Sequence, residues 1–424
     1  MSVDLTKPTP SISPVGGLNW GPVLWAGPAL DAVKQSSLRR RVLLEGCKWD
    51  PQVGDVNTLA SFPMVMSRRV WNEIARLAEL LAAEATEAEA EIVNRSELLG
   101  RLGLPGALRR VLAGGAHLTP AAGRVIRFDF HLTTQGWKIS EANSDVPGGY
   151  GEGSYFTRLM AAQYPRWRMA GDPAAVWCKA VASAAGTAGV IALLSAPGYM
   201  EDYQVTAFLA ARLREAGCHT HLARPGQIVW RDGIAHLDTA WFRGPLRAII
   251  RFYQAEWLSR LPVASGWRHF FRGGLTLVAN PAVAVISESK RFPLVWNHLT
   301  TGLPTWRSLL PETRDPREVP WDSNEEWLLK TAFCNTGDTV SARAWLPSRK
   351  WWQVKWNARL FPGNWVAQRR FDSLPVSTPA GRRHVCVGVY TVNGKAAGAY
   401  TRLSERPLVD YTAVDAALLI EENE

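Results

Sequence analysis

Apolar residues at Val70, Ile74, Leu77 and Leu81 recur at helical spacing, which predicts an amphipathic helix from Ser67 to about Val93. The acidic, alanine-rich stretch that ends this helix is expected to face water. From Asp129 the period changes. Asp129 to Leu132 reads as the end of one strand and Trp137 to Ala142 as the next, with Thr134-Gln135-Gly136 as the turn. A helix from about Ser154 to Gln163 follows. Val190 to Leu194 is a short continuous apolar run, the mark of a buried parallel strand, and Pro197-Gly198 turns the chain after it. Asp202 to Ala216 reads as a helix closed by Gly217. Cys218 to Leu222 and Ala248 to Ile250 read as further strands, so this part is a βαβ unit of doubly wound character. Beyond Pro304 the chain becomes strand-rich. His384 to Val392 alternates, Asn393-Gly394 is a hairpin turn signal, and Ala396 to Arg402 returns. The fold class expected from these elements is α/β. Residues 1 to about 20 are rich in Pro, Gly and Ser and read as a loose lead-in.

Composition narrows the picture. A chain of 424 residues implies two or three substructures, and 47% hydrophobic with 20% charged residues indicates a globular protein. The net charge of +10 suits anionic ligands such as ATP. The densest basic run, Arg39-Arg40-Arg41, is too short for a nucleic-acid stripe and no nucleic-acid motif accompanies it, so no such partner is expected. Five scattered cysteines without a CxxC pair argue against a disulfide framework or a zinc site. No GxGxxG follows the first parallel strand, which argues against a dinucleotide site. The longest apolar stretch, around Val181 to Ala196, is broken by small and polar residues and stopped by Pro197, too short to cross a bilayer. With no signal sequence at the N-terminus, the expectation is a cytoplasmic protein without membrane attachment. The twenty tryptophans are expected in the core or along broad clefts.

The candidate chemistry sits in the 127–154 stretch. A hairpin there brings Asp129 beside Glu141 and Asn143, with the last two on one face because strand side chains alternate. Two carboxylates and an amide are hard oxygen donors and suit Mg²⁺ bridging nucleotide phosphates. Arg127 lies two residues before Asp129 on the same strand face. Farther on, Lys330 ends the apolar run Trp327-Leu328-Leu329, Trp365 to Gln368 is a short strand with a polar end suited to adenine, and Arg402 sits at the return end of the last hairpin.

These residues carry a resemblance. Arg127-Phe128-Asp129-Phe130-His131 through Trp137-Lys138-Ile139-Ser140-Glu141-Ala142-Asn143, with Ser289 to Trp296, Leu329-Lys330, Val366-Ala367-Gln368, Val387 to Tyr390 and Gly398 to Arg402, resemble the glutathionylspermidine synthase-like, circularly permuted ATP-grasp ligases. Ordinary ATP-grasp enzymes place the metal-binding Glu-x-Asn after the phosphate lysine; here Glu141 precedes Lys330. The resemblance implies a permuted ATP-grasp fold with an embedded doubly wound preATP-grasp-like subdomain. Residues 1–120 would then be a mainly helical scaffold and 121–170 the metal-binding part. Residues 171–300 would form the α/β subdomain, and 301–424 the nucleotide-binding part with the terminal hairpin. It further implies Mg²⁺ on Asp129, Glu141 and Asn143, and ATP contacts from Lys290, Lys330 and Gln368. Arg127 and Arg402 would stabilise the acyl phosphate and the tetrahedral intermediate, with Ser144, Gly148 and Gly149 bordering the acyl substrates. The implied activity is ATP-dependent amide formation between a small-molecule or peptide carboxylate and an amine. Three departures stand out. The loop 331–340 has a single glycine where a phosphate-covering loop has several, which keeps a non-catalytic nucleotide- or peptide-binding member as the alternative. The residues before the ligase motif are too few for an amidase domain, so none is expected there, and the 143–154 loop differs from that of glutathione-binding members.

Overall fold

The computed structural model describes residues 23–50, 52–53, 56–115, 122–186, 189–333, 340–410 and 412–422. The lead-in 1–22, Cys334 and most of the loop after Lys330 lie outside the described residues.

A mostly antiparallel sheet forms the centre. Its main path runs Trp25–Ala26, Met64–Ser67, Val414–Glu421, Lys395–Ser404, Gly381–Val392, Val125–Thr133 and Gly136–Asn143, with Trp167–Met169 and Pro375–Thr378 added at its flanks. Val414–Glu421 pairs parallel to Met64–Ser67 and antiparallel to Lys395–Ser404, so segments from both ends of the chain close one sheet. The Asn393-Gly394 turn has φ of 49° and 76°, the double left-handed geometry that matches strand twist in a two-residue hairpin. The strand Val414–Glu421 and the two N-terminal strands are absent from the sequence reading, being short or continuously apolar without a turn signal to frame them.

The helix Arg68–Val93 covers one face of this sheet. Ser67 caps it, its hydroxyl accepting from the Val70 amide at 3.3 Å. Its buried stripe continues past Leu81 through Ala82, Ala85, Ala88 and Ile92. The expectation that the alanine-rich end faces water is therefore corrected. The glutamates between the alanines point outward for the most part, but the alanines are the core face, packed with Phe128, Phe130, Val387 and Ala399 of the sheet. Small side chains let the helix lie close to the pleated surface. Glu89 is buried with them because Arg124 reaches it at 2.7 Å.

The expected βαβ unit is present as a separate four-stranded parallel sheet, ordered Leu277–Ala279, Ala248–Phe252, Val190–Ser195, His219–Ala223. The helices Pro173–Ala185 and Met200–Glu215 flank it. A third, antiparallel sheet of Thr313–Arg314, Trp365–Arg369 and Trp327–Thr331 packs Trp327, Leu329, Trp365 and Ala367 against Trp321 and Ala358. Ala358 belongs to the helix Ser348–Leu360, which the strand-rich reading of this region does not anticipate. Among the described residues no helix is long and apolar enough to cross a membrane.

The close helix–sheet contact makes a prediction. Ala85, with no exposed surface, replaced by leucine should lower stability by about 1–3 kcal/mol through overpacking. The same change at the exposed Ala83 should stay within about 0.5 kcal/mol. Thermal or urea unfolding of both variants checks this; equal effects would contradict the packing.

Candidate active site

The site begins with an irregularity in the Asp129 hairpin. Arg127 pairs with Asn143 and Phe128 with Ala142, but Phe130 pairs with Ile139, so Ser140 and Glu141 together oppose Asp129. Strict alternation would put Ile139, Glu141 and Asn143 on the same face. The extra residue breaks it. Ile139 and Ala142 both enter the core beside Phe130 and Phe128, while Ser140, Glu141 and Asn143 stay on the polar face with Arg127, Asp129 and His131. The adjacent strands continue that face: Gly388 stands opposite Asp129, Tyr400 opposite Gly388, and Arg402 opposite both Cys386 and Asp415.

The polar side chains on this face are already interlocked. Arg127 grips Asp129 with both arms of its guanidinium, Nε to Oδ1 at 2.7 Å and Nη2 to Oδ2 at 3.0 Å. Asn143 Nδ2 donates to Asp129 Oδ2 at 3.3 Å. The Arg127 side chain crosses Gly388, where a β-carbon would sit 3.0 Å from Arg127 Cδ. Burial works against the guanidinium charge, and Asp129 outweighs it, so Arg127 stays protonated. Arg127 Nη1 also donates to the Gly148 carbonyl at 3.1 Å, as does the Tyr390 hydroxyl. Gly149 follows with φ +86°, and a β-carbon there would lie 2.6 Å from the Tyr390 oxygen, so only glycine fits. The glycine loop is thus fastened to the arginine end of the face.

Both predicted phosphate lysines converge on the bulge. Lys290 Nζ lies 3.2 Å from Glu141 Oε2, and Lys330 Nζ donates to the Ser140 carbonyl at 3.0 Å. Burial favours the neutral form of Glu141, but Lys290, Lys330 and Arg127 outweigh it and bring its carboxyl down to about 2. Glu141 is therefore an anion at any physiological pH. Lys330 pairs with Val366 and Leu328 with Gln368, which puts Lys330 and Gln368 on one face of the small sheet. Gln368 is buried, its amide donating to Thr313 Oγ1 at 3.0 Å. Arg402 donates to the Asp410 carbonyl at 2.8 Å.

Ser144 is placed differently from the rest. It has no exposed surface; its hydroxyl accepts from Ser287 at 2.9 Å and its amide donates to Glu288 at 2.6 Å. It belongs to a buried polar layer behind the site. Glu288 also takes the Asp145 amide at 3.0 Å, Asp145 is clamped by Arg251, and Asn280 Nδ2 donates to the Ser144 and Asp145 carbonyls, each at 3.0 Å. This layer fixes the chain just after Asn143 to the parallel sheet. Sequence reasoning did not find it, since its members are single polar residues scattered between Ser144 and Glu288.

Mg²⁺ and ATP can be tested against these groups. Among the described residues no three His, Cys, Asp or Glu side chains gather as a metal cluster. Mg²⁺ does not require one, because it takes one or two carboxylates and completes its shell with phosphate and water. An anionic Glu141, the Asp129 carboxylate and the Asn143 amide oxygen, with two lysines alongside, are donors of the right kind for Mg²⁺ with a polyphosphate.

Comparison with known proteins identifies the family and the fold. The model of the glutathionylspermidine synthase preATP-grasp family matches residues 38–420. The chain belongs to this family. Its architecture is accordingly the permuted ATP-grasp type with a doubly wound unit embedded in it, and the family points to ATP-dependent ligase activity. A glutathione synthetase-like effector from Globodera pallida, solved in the apo form, has a similar fold. It is 12% identical, with 92% of this chain and 99% of that chain covered and a TM-score of 0.59. Two further solved structures are similar at TM-scores of only 0.35 and 0.34. A putative gamma-glutamylcysteine synthetase from Methylobacillus flagellatus KT is 10% identical, covering 77% of this chain and 83% of that one. D-alanyl-alanine synthetase A from Vibrio cholerae O1 biovar eltor is 12% identical, covering 52% and 68%. No curated protein matches the chain.

The buried layer gives a pH prediction. Burial, helped by the nearby Asp145 and opposed by Lys290, pushes the Glu288 carboxyl up to about 8 from an ordinary 4.5. Between those values the unfolded chain has released the proton and the folded chain keeps it, so this group's contribution to stability falls as pH rises from about 4.5 to 8. Glu288→Gln keeps an oxygen for the two amides and removes the titration. Its stability relative to wild type should therefore increase with pH across that window in urea unfolding. A difference that is flat or declines with pH would contradict the assignment.

Proposed function

We propose that the chain is an ATP- and Mg²⁺-dependent carboxylate–amine ligase that forms an amide bond through an acyl phosphate and releases ADP and phosphate. The observation that carries this reading is the convergence of Lys290 and Lys330 on the bulge that presents Glu141 beside the Arg127–Asp129 pair. A pair of lysines facing an obligatory anion is an arrangement prepared for polyphosphate with its cation.

In this reading Asp129, Glu141 and Asn143 hold Mg²⁺, which would offset charge on the β- and γ-phosphates during transfer. Lys290 and Lys330 exchange their present partners for ATP phosphate oxygens, and Gln368 borders the adenine. A carboxylate oxygen of the donor attacks the γ-phosphorus, the bond to the bridging oxygen breaks, and ADP leaves. The amine nitrogen then attacks the acyl carbon. The C–N bond forms, the tetrahedral oxyanion collapses, phosphate departs with the bonding pair, and the nitrogen loses its proton. Arg127, fixed by Asp129 and the Gly148 carbonyl, would meet the transferring phosphoryl group. Preorganised cations of this kind stabilise charge as it develops. Arg402, on the same sheet face, serves the oxyanion. The Gly148-Gly149 loop borders the acyl substrates, and Ser144 supports that loop from behind.

Incubation with ATP, Mg²⁺ and pools of small carboxylic acids and amines should give substrate-dependent ADP and new amide masses. Glu141→Gln should reduce ADP formation at least about 100-fold with unchanged circular dichroism. Lys290→Met should raise the KM for ATP with a smaller effect at saturation. ADP formation undiminished by Glu141→Gln would remove the metal assignment. Nucleotide binding without any substrate-dependent turnover would favour a non-catalytic member of the same fold.

A further inference from the structure

At the Arg402 end of the polar face the chain supplies an ammonium of its own. Lys48 Nζ lies 2.6 Å from Glu152 Oε1, 3.6 Å from Asp415 Oδ2 and 3.7 Å from Asp50 Oδ1. The Lys48 side chain is 17% exposed, and those of Glu152 and Asp415 are 10% and 12% exposed. Asp415 is the cross-strand partner of Arg402, and Glu152 lies three residues beyond Gly149, whose loop is fastened to Arg127. Glu152 and Asp415 therefore lie on the same side as Arg402, with Asp50, on the lysine's own segment, as a third, more distant partner of Lys48.

Lys48 arrives on a segment tied at both ends. On one side the Lys48 amide donates to the Val42 carbonyl at 3.2 Å, and Glu45 accepts from the Tyr155 hydroxyl. On the other, the Trp49 amide donates to the side chain of buried Gln204, and the Trp49 ring lies 5.7 Å from that of Tyr203. Cys47 adopts φ +55°, a left-handed conformation at the turn that precedes the lysine. A loosely placed surface lysine would have none of these restraints. Without Lys48, Glu152 and Asp415 would be left with Arg402 between them, and the excess negative charge would draw in a diffusible cation.

We propose that Lys48 is a specificity-determining residue: a tethered counter-ion that permanently occupies the carboxylates at the Arg402 end of the polar face and excludes polycationic amines. The acceptor consistent with this is an amine whose remainder is neutral or anionic, such as an amino acid or peptide, with its anionic part directed to the arginines. The word acceptor rests on the ligase reading above. The filled subsite does not, because its test is a binding measurement without ATP or turnover.

The test compares wild type, Lys48→Ala and Lys48→Arg by calorimetric titration with 1,3-diaminopropane and with a linear triamine. Wild type and Lys48→Arg should show no saturable binding in the millimolar range. Lys48→Ala should gain it, at least about tenfold tighter than wild type, and adding Glu152→Gln should remove the gain. A folded Lys48→Ala protein that gains no binding would overturn the proposal, as would wild-type protein that binds the amines equally well. A measurement on wild type covers the case in which the alanine variant does not fold. Lys48 should be acylated slowly by an amine-reactive reagent, at a rate that added diamine leaves unchanged. Faster labelling in the presence of diamine would mean that Lys48 is displaced, and would also overturn the proposal.

Discussion

The candidate site depends on one extra residue. Without the bulge opposite Asp129, the strand carrying Glu141 could bury Ile139 or expose Glu141, but not both. Burying an isoleucine side chain is worth about 1.5–3 kcal/mol, and burying an unpaired carboxylate costs more than that, so neither regular register is acceptable. The bulge satisfies both demands. It keeps the apolar face of the hairpin in register with the alanine stripe of the Arg68–Val93 helix and turns Ser140 and Glu141 together onto the polar face.

Charge compensation follows from that placement. Each acid on the polar face meets a base: Asp129 with Arg127, Glu141 with Lys290, and Glu152 and Asp415 with Lys48. At the Glu141 end the bases come from residues nearly 150 and 190 positions later, Lys290 from the turn after a short helix and Lys330 from the small antiparallel sheet, and in the proposed ligase they exchange partners with a bound polyphosphate. At the Lys48 end the base is held by a segment tied at both sides. On the proposed reading, the same electrostatic requirement gives one end of the polar face replaceable cations and the other a resident one. The Glu288–Asp145–Arg251 layer stands behind both and holds the chain after Asn143 to the parallel sheet.

Much of this was legible in the sequence where a local signal existed. Period-2 alternation framed by Thr134-Gln135-Gly136 located the hairpin, and Asn393-Gly394 located the terminal turn. The apolar run at Val190 gave the parallel sheet, and the order of Glu141 and Lys330 gave the permuted branch. What escaped notice has no local signature. The alanines of the Arg68–Val93 helix look hydrophilic among glutamates until the sheet they pack on is known. The strand Val414–Glu421 is framed only by its neighbours from other parts of the chain. Lys48 is one lysine among many basic residues, and only the fold brings it to Glu152 and Asp415. Alternation likewise placed Glu141 and Asn143 together correctly, yet could not foresee that Ile139 must be taken off their face.

The central claim is that the polar face of the Asp129 hairpin binds nucleotide together with Mg²⁺. Calorimetric titration with a non-hydrolysable ATP analogue, with and without Mg²⁺, tests it without knowledge of the acyl substrates. The expected result is binding that Mg²⁺ strengthens at least about tenfold and that loses this dependence in Asp129→Asn. Affinity that is the same with and without Mg²⁺, or a Mg²⁺ effect undiminished in the variant, would contradict the account.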